Sequence, residues 1–133
     1  MRDVACPVAV HLDGVPRRIA AFEHPQAGLQ IVKGGVRPDE RPDQAAAREL
    51  FEETGLETRA AVYLGHSDDI VDQQRWHFTL CRLAGPLRDQ WQHLCADDGG
   101  HLLRCFWVPL DQPLPTGFAP QYDRALHWMR AAL

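Results

Sequence analysis

Three carboxylates within one helical turn are the first feature of this 133-residue chain that could do chemistry. Glu49, Glu52 and Glu53 stand at i, i+3 and i+4, so on a helix they crowd one face. Pro42 is suited to start that helix, because its missing N–H is unneeded in the first turn and its fixed φ fits the position. Gly55 supplies the left-handed stop, and the pattern predicts a helix over about 42–54. Arg48 reaches Glu52 at i+4 but cannot neutralise all three carboxylates, and each exposed like-charge pair costs roughly 0.2–0.5 kcal/mol. A further cation is therefore expected at this face. Clustered hard oxygen ligands suit Mg2+ or Mn2+, and the Lys33-Gly34-Gly35 turn brings a backbone carbonyl close by.

A solvated acidic helix face is the competing reading. Composition argues against it: the chain has six glutamates against twelve aspartates, and Glu40, Glu49, Glu52 and Glu53 all lie between residues 34 and 56. The longer acid is used where reach matters. Within this stretch the spacing is Gly34-x5-Glu40-x7-Arg48-Glu49-Leu50-x-Glu52-Glu53-x-Gly55-Leu56. Chance would produce that pattern on the order of once in 10^9 windows.

These 23 residues resemble the Nudix box at every fixed position, and the order of predicted elements around them is similar over nearly the whole chain. The resemblance implies an α/β fold, an α/β/α sandwich whose central mixed sheet lies between helices. It implies a metal-dependent hydrolase that splits a phosphoanhydride in a nucleoside diphosphate linked to another moiety. Carried over by position, Glu52 and Glu53 are implied metal ligands, with the carbonyl of Gly34 another. Glu49 is implied as a ligand or as the base that activates water. Arg48 would orient these glutamates, and Glu40 would support the site or bind a further ion. The chemistry is consistent, since a diphosphate repels an anionic nucleophile and a divalent ion relieves that repulsion while lowering the pKa of bound water.

Other elements must position this segment. Val4 to Leu12 and Arg17 to Phe22 read as strands joined by an Asp13-Gly14 turn. Pro7 removes a ladder donor, so the first strand is expected at an edge or bulge. Gln30 to Val32, Ala60 to Leu64, Trp76 to Leu83 and Leu103 to Pro109 read as further strands. Residues 85–100 are turn-rich and read as a loop beside the site, carrying Trp91 and His93. Tyr122, Leu126, Met129 and Leu133 recur at helical spacing, predicting a C-terminal helix over about 120–132 packed on the sheet. No internal repeat is present.

Substrate choice lies outside the box. Many Nudix relatives carry basic residues at the end of the strand before it, where this chain has Glu23-His24. Phosphate contacts are instead expected from Lys33, Arg37, Arg18 or Arg75, with a solvated surface charge the competing reading for each and Lys33 foremost because it adjoins Gly34. Family members often use a further acid from a later loop, and Asp97-Asp98-Gly99 is the candidate, with Asp98 the expected ligand and an ordinary turn the competing reading. His66, Asp68, Asp69 and His77 are a weaker candidate cluster. Trp76 and Trp91 are candidates to stack on a base, with packing as the alternative. The markers of ADP-ribose, diadenosine tetraphosphate and coenzyme A subgroups are missing, which leaves nucleoside triphosphates, nucleotide sugars and similar derivatives.

Length fits a single domain over 1–133, able to bury roughly two-thirds of its unfolded surface. Net charge is −4, and thirteen arginines and one lysine are scattered, so no polymeric nucleic acid is expected as partner. The four cysteines form no C-x-x-C pair and read as reduced thiols. No signal peptide or membrane span is evident, which predicts a cytoplasmic protein acting on a small-molecule nucleotide; a homodimer is compatible with the sequence. Two rivals share the fold: a non-catalytic Nudix-fold module that binds a nucleotide or a protein, and an isopentenyl diphosphate isomerase. Intact Glu49, Glu52 and Glu53 argue against the first. Short length and the lack of a cysteine just before the box argue against the second.

Overall fold

The structure is a computed structural model. It describes residues 1–11 and 17–133, without the side chains of His11 and Asp98, so the expected Asp13-Gly14 turn lies outside the described residues. In chain order the elements are β1 (Arg2–His11), β2 (Arg18–His24), β3 (Gly28–Ile31), β4 (Gly34–Gly35), α1 (Pro42–Thr54), β5 (Thr58–Ser67), β6 (Gln74–Leu83), β7 (Gln90–Cys95), β8 (His101–Pro109) and α2 (Pro120–Ala132). The strands form a mixed sheet in the order β5-β6-β1-β2-β8-β7, with β3 paired to β2 and β4 paired to β1. Among the described residues β1 with β6 is the parallel pair, from Arg2 opposite Gln74 to Ala9 opposite Cys81.

Alternation along β1 separates two cores. Val4, Cys6, Val8 and Val10 pack with Tyr122, Ala125, Leu126 and Met129 of α2. Ala5 and Ala9 face the other way, against Ala45, Ala46 and Leu50 of α1. Alanine on both sides of this second layer lets α1 lie close to the sheet. Both helices cover the sheet as expected, and their bounds match the predicted 42–54 and 120–132. Pro42 and Pro120 open them, and Gly55 closes α1 with φ 76° and its N–H donated to the Phe51 carbonyl.

Two expectations require correction. First, β1 is not an edge strand: β6 runs along one side, while β4 at Val4 and Ala5 and β2 at Val10 and His11 take the other. Pro7 falls between these two ladders, so its missing N–H costs that side nothing. Second, residues 85–100 are not a loop. They contain β7, paired with β8 from Gln90 opposite Phe106 to Cys95 opposite His101, followed by a 3-10 turn at Asp97–Gly99. β7 also holds the end of α1, where Trp91 Nε1 donates to the Thr54 carbonyl at 2.7 Å. Packing is thus the role the structure gives Trp91, and Trp76 is buried in the α2-side core.

All four cysteines are free and buried, and burial pushes the Cys81 thiol to about 11 and that of Cys105 to about 12. Among the described residues no helix is long and apolar enough to cross a membrane.

Neighbours on α1 test this packing. Leu50 is fully buried and Phe51 is half exposed. Leu50→Ala is expected to cost about 2–5 kcal/mol through the cavity it leaves, and Phe51→Ala less than about 1 kcal/mol. Urea unfolding of both variants measures the difference; equal losses would contradict the assigned face of α1.

Candidate active site

Helical spacing alone makes the box glutamates equivalent, but contact with the sheet does not. Glu49 and Glu53 lie on the stripe of α1 that carries Ala45, Ala46 and Leu50, and they are buried at 9 % and 8 % exposure. Glu52 stands off that stripe, with its side chain 31 % exposed. Glu49 can sit so deep because Gly34 faces it: a methyl group there would overlap the Glu49 carboxylate. Gly34 is fixed in turn by β4, where it pairs with Ala5 of β1.

Arg48 ties these parts together. Its Nε donates to Glu40 Oε2 at 2.6 Å and its Nη2 to Glu40 Oε1 at 2.8 Å, a two-pronged pairing that suits guanidinium and carboxylate. Nη1 donates to Glu49 Oε1 at 2.7 Å and to Glu52 Oε2 at 3.3 Å, and Nη2 also reaches the Gly35 carbonyl at 3.0 Å. Glu40 further accepts from the Arg37 N–H at 3.0 Å. The Arg48 guanidinium, helped by that N–H, holds the Glu40 carboxyl down at about 2. The carboxylates push Arg48 itself further up.

Glu53 is the exception in this network. Among the described residues it has no cationic partner within salt-bridge distance. Burial, then the adjacent charge of Glu49 and a hydrogen bond to it, push the Glu53 carboxyl well above the ordinary range. Within the Glu49–Glu53 pair the folded site thus favours a proton on Glu53. Such a pair can exchange that proton for a cation, and its oxygens suit a hard divalent ion. Among the described residues, no three acidic, histidine or cysteine side chains already converge as a metal cluster. In the weaker candidate group of His66, Asp68, Asp69 and His77, Asp68 is held by Arg75 at 2.8 Å. His77 contacts Tyr63 and Asp3, both at 2.8 Å.

A cavity of about 320 Å3 opens over this pair, lined by Lys33, Gly34, Gly35, Glu49, Glu53 and Asp97 among others. Lys33 thus lines the cavity, and Arg37 is near, 3.8 Å from Glu52. Arg18 and Arg75 are placed elsewhere. Arg18 lies 3.7 Å from Asp89 and lines a separate cavity of about 610 Å3 with Trp91 and Trp107, larger but away from the box glutamates. Arg75 pairs with Asp68 through two bonds of 2.8 and 3.0 Å. The 3-10 turn after β7 brings Asp97 to the cavity, while the side chain of Asp98 lies outside the described residues.

Sequence reasoning missed Arg2, Gln30 and His101 as cavity residues and noted His24 only as a departure from a pattern. His24 is rigidly held: its Nδ1 accepts the N–H groups of Gln26 and Ala27, each at 3.0 Å, and its ring lies 4.5 Å from that of His101. Those Nδ1 bonds make Nε2 the protonated nitrogen. Glu23 points away, to Arg104 at 3.0 Å. No local signal marks these positions, which meet only through strand pairing.

The family model described as NUDIX domain matches residues 15–129. Three solved structures share the fold. MutT from a study of Aliivibrio salmonicida and Vibrio cholerae aligns with TM-score 0.63 and 19 % identity, covering 99 % of this chain and 100 % of that one. A Nudix hydrolase family member from Chromobacterium violaceum aligns with TM-score 0.69 and 17 % identity over 98 % of this chain and 77 % of its own. The mutator MutT protein from Bacillus halodurans aligns with TM-score 0.62 and 17 % identity, over 96 % and 80 %. No curated protein matches the chain.

The Arg48–Glu40 pair has a signature in acid. Because the folded-state value of Glu40 is depressed from 4.5 to about 2, its contribution is fully present above about 4.5 and is lost as pH falls through about 2. Metal-free wild-type protein is expected to be more stable than Glu40→Gln at pH 7, with the gap closing between pH 4.5 and 2. Urea titrations across that range measure it; a gap that stays constant would remove the ion pair as its cause.

Proposed function

The chain belongs to the Nudix family and is a Nudix-type pyrophosphohydrolase, and from that premise we propose that it hydrolyses a phosphoanhydride in a nucleoside diphosphate linked to another moiety, with Mg2+ or Mn2+ as cofactor. Nucleoside triphosphates and nucleotide sugars are the substrate classes favoured by the missing subgroup markers. The proposed setting is the cytoplasm and the proposed unit a single domain. The observation that carries the reading is the buried Glu49–Glu53 pair against Gly34, acids held together with no salt-bridge partner for Glu53 among the described residues.

The donor set fits a hard divalent ion: Glu53, Glu52, the Gly34 carbonyl and Glu49 would hold it, with Asp97 at the cavity wall and Asp98 beside it in the chain. When bound, such an ion neutralises phosphate oxygens and lowers the pKa of water. The remaining steps belong to the chain's own groups. Glu49 is the proposed base, taking a proton from the attacking water, and the bond from Arg48 fixes its carboxylate for that role. Glu40 anchors Arg48 from outside the helix. Lys33 and Arg37 meet the substrate's phosphates, replacing the basic residues absent at Glu23-His24. Arg18 and Arg75, placed away from this cavity, would contribute only through a longer part of the substrate.

A panel of nucleotides incubated with Mg2+ or Mn2+ is expected to yield phosphorylated nucleoside products. Glu52→Gln and Glu53→Gln are each expected to lower kcat by about 10^2 or more. Full turnover in either variant, or none with wild-type protein across a broad panel, would sink the reading.

Stability should move the other way. The Glu53 value is raised on folding, so its favourable contribution is present at low pH and is lost as pH rises through that folded value. Without divalent ions, Glu53→Gln is expected to be more stable than wild type at pH 8, and saturating Mn2+ should narrow the gap. Thermal unfolding with and without chelator reads both effects; a less stable Glu53→Gln at pH 8 without metal would contradict the buried-acid account.

Gly34→Ala supplies a separate check, since it removes no carboxylate. It is expected to weaken Mn2+ binding about tenfold or more by displacing Glu49, as calorimetry would read; wild-type affinity would show that the cradle is dispensable.

A further inference from the structure

The second glycine of the pair, Gly35, is not a fixed position of the box, yet the structure gives it a neighbour of its own. A Cβ there would lie 3.1 Å from Nη2 of Arg2 and 3.8 Å from its Cζ, so the guanidinium rests on the bare backbone of β4. Adjacent residues on a strand point to opposite faces. Gly34, opposite Ala5, faces Glu49, and Gly35, opposite Val4, faces Arg2. Arg2 lines the same cavity as Glu49 and Glu53 but reaches it around the other side of the strand.

The state of Arg2 differs from that of the arginines around it. Arg48, Arg37, Arg75 and Arg104 each have a carboxylate within salt-bridge distance. Among the described residues Arg2 has none, although acids line the cavity it enters. A guanidinium left uncompensated beside a cavity is a ready anion partner, and its planar fork matches two phosphate oxygens at once. Lys33 lines the cavity too, so a diphosphate would meet a cation from the β3–β4 connection as well as one from β1.

We propose that Arg2 grips the substrate's diphosphate, with Gly35 retained without a side chain so that the guanidinium can reach across β4. This rests on the proposed hydrolysis of a nucleoside diphosphate derivative and assigns it a binding residue on the first strand. Arg2 holds the phosphates; it takes no proton and forms no bond.

The test uses full-length protein saturated with Mg2+ and inorganic pyrophosphate as the probe, with affinity read by calorimetry. Wild-type protein should bind pyrophosphate, and Arg2→Met should weaken binding about 10- to 100-fold, the range for a lost charge-assisted hydrogen-bonded pair. Arg2→Lys should recover part of the loss, and Gly35→Ala should weaken binding by a smaller factor. Arg82→Met, at an exposed position of β6, removes the same charge and should leave affinity unchanged. With a nucleotide substrate, Arg2→Met should raise KM while kcat stays within about threefold. Wild-type affinity in Arg2→Met, an equal loss in Arg82→Met, or no pyrophosphate binding by wild type would each overturn the proposal. The outcomes separate the two claims: Arg2-dependent binding without turnover on any nucleotide removes the hydrolase and keeps the grip, and turnover with Arg2-independent binding does the reverse.

Discussion

The arrangement depends on one guanidinium. Arg48 binds Glu40 in the segment before its own helix, the Gly35 carbonyl on β4, and Glu49 and Glu52 on α1. Three separate pieces of chain are thereby fixed to a single planar group, whose donors can face several acceptors in rigid directions. With its side chain 17 % exposed, the group is shielded enough for these bonds to matter more than surface pairs do. Deleting it would leave Glu40 and Glu49 part-buried without their partner, which costs more than the bonds themselves are worth. The register of α1 against β4, and so the approach of Glu49 to Gly34, follows from this interaction.

That arrangement does not favour the fold at every point. Glu53 lies on the buried stripe of α1, where an apolar side chain would pack without penalty, and it meets another acid there. The compensation comes from the rest of the layer: alanines on β1 and α1, Leu50, and β7 bonded to the helix end through Trp91. Proteins commonly tolerate local destabilisation where function needs it, provided the surrounding structure over-determines the geometry. Here the support is local and named. The small residues that let α1 approach the sheet are also those that bring the acids within reach of Gly34.

How far the sequence reveals this depends on the range of the interaction. Both helices were legible to their ends, because Pro42 and Gly55 are local signals for the first and the spacing of Tyr122, Leu126, Met129 and Leu133 suffices for the second. β7 was not, since Gln90, Gln92 and the flanking glycines resemble a loop; only the alternation of Trp91, His93 and Cys95 toward α1 hinted at a strand. The glutamates were legible as a group, but their division into two buried acids and one half-exposed acid required the sheet. Cations were the least legible. Charge alone could not separate Lys33, which lines the cavity, from Arg75, which is spoken for by Asp68 seven residues away. Arg2 was invisible, because its place depends on β1 pairing with β4 across more than thirty residues of chain.

The two glycines of β4 resolve a difficulty inherent in placing acids and a guanidinium in one small cavity. Opposite charges free to meet would collapse into a salt bridge, and both would be lost to any ligand. Strand alternation prevents that here: the acid approaches one glycine from the α1 face, and Arg2 lies over the next from the opposite face. The backbone between them is thin enough for both groups to line one cavity, yet it keeps Arg2 beyond salt-bridge distance of the buried acids. A side chain at either position would fill one of the two approaches. A two-residue strand that looks like a mere turn in the sequence thus acts as a partition, and it explains why a second glycine follows the one the box requires.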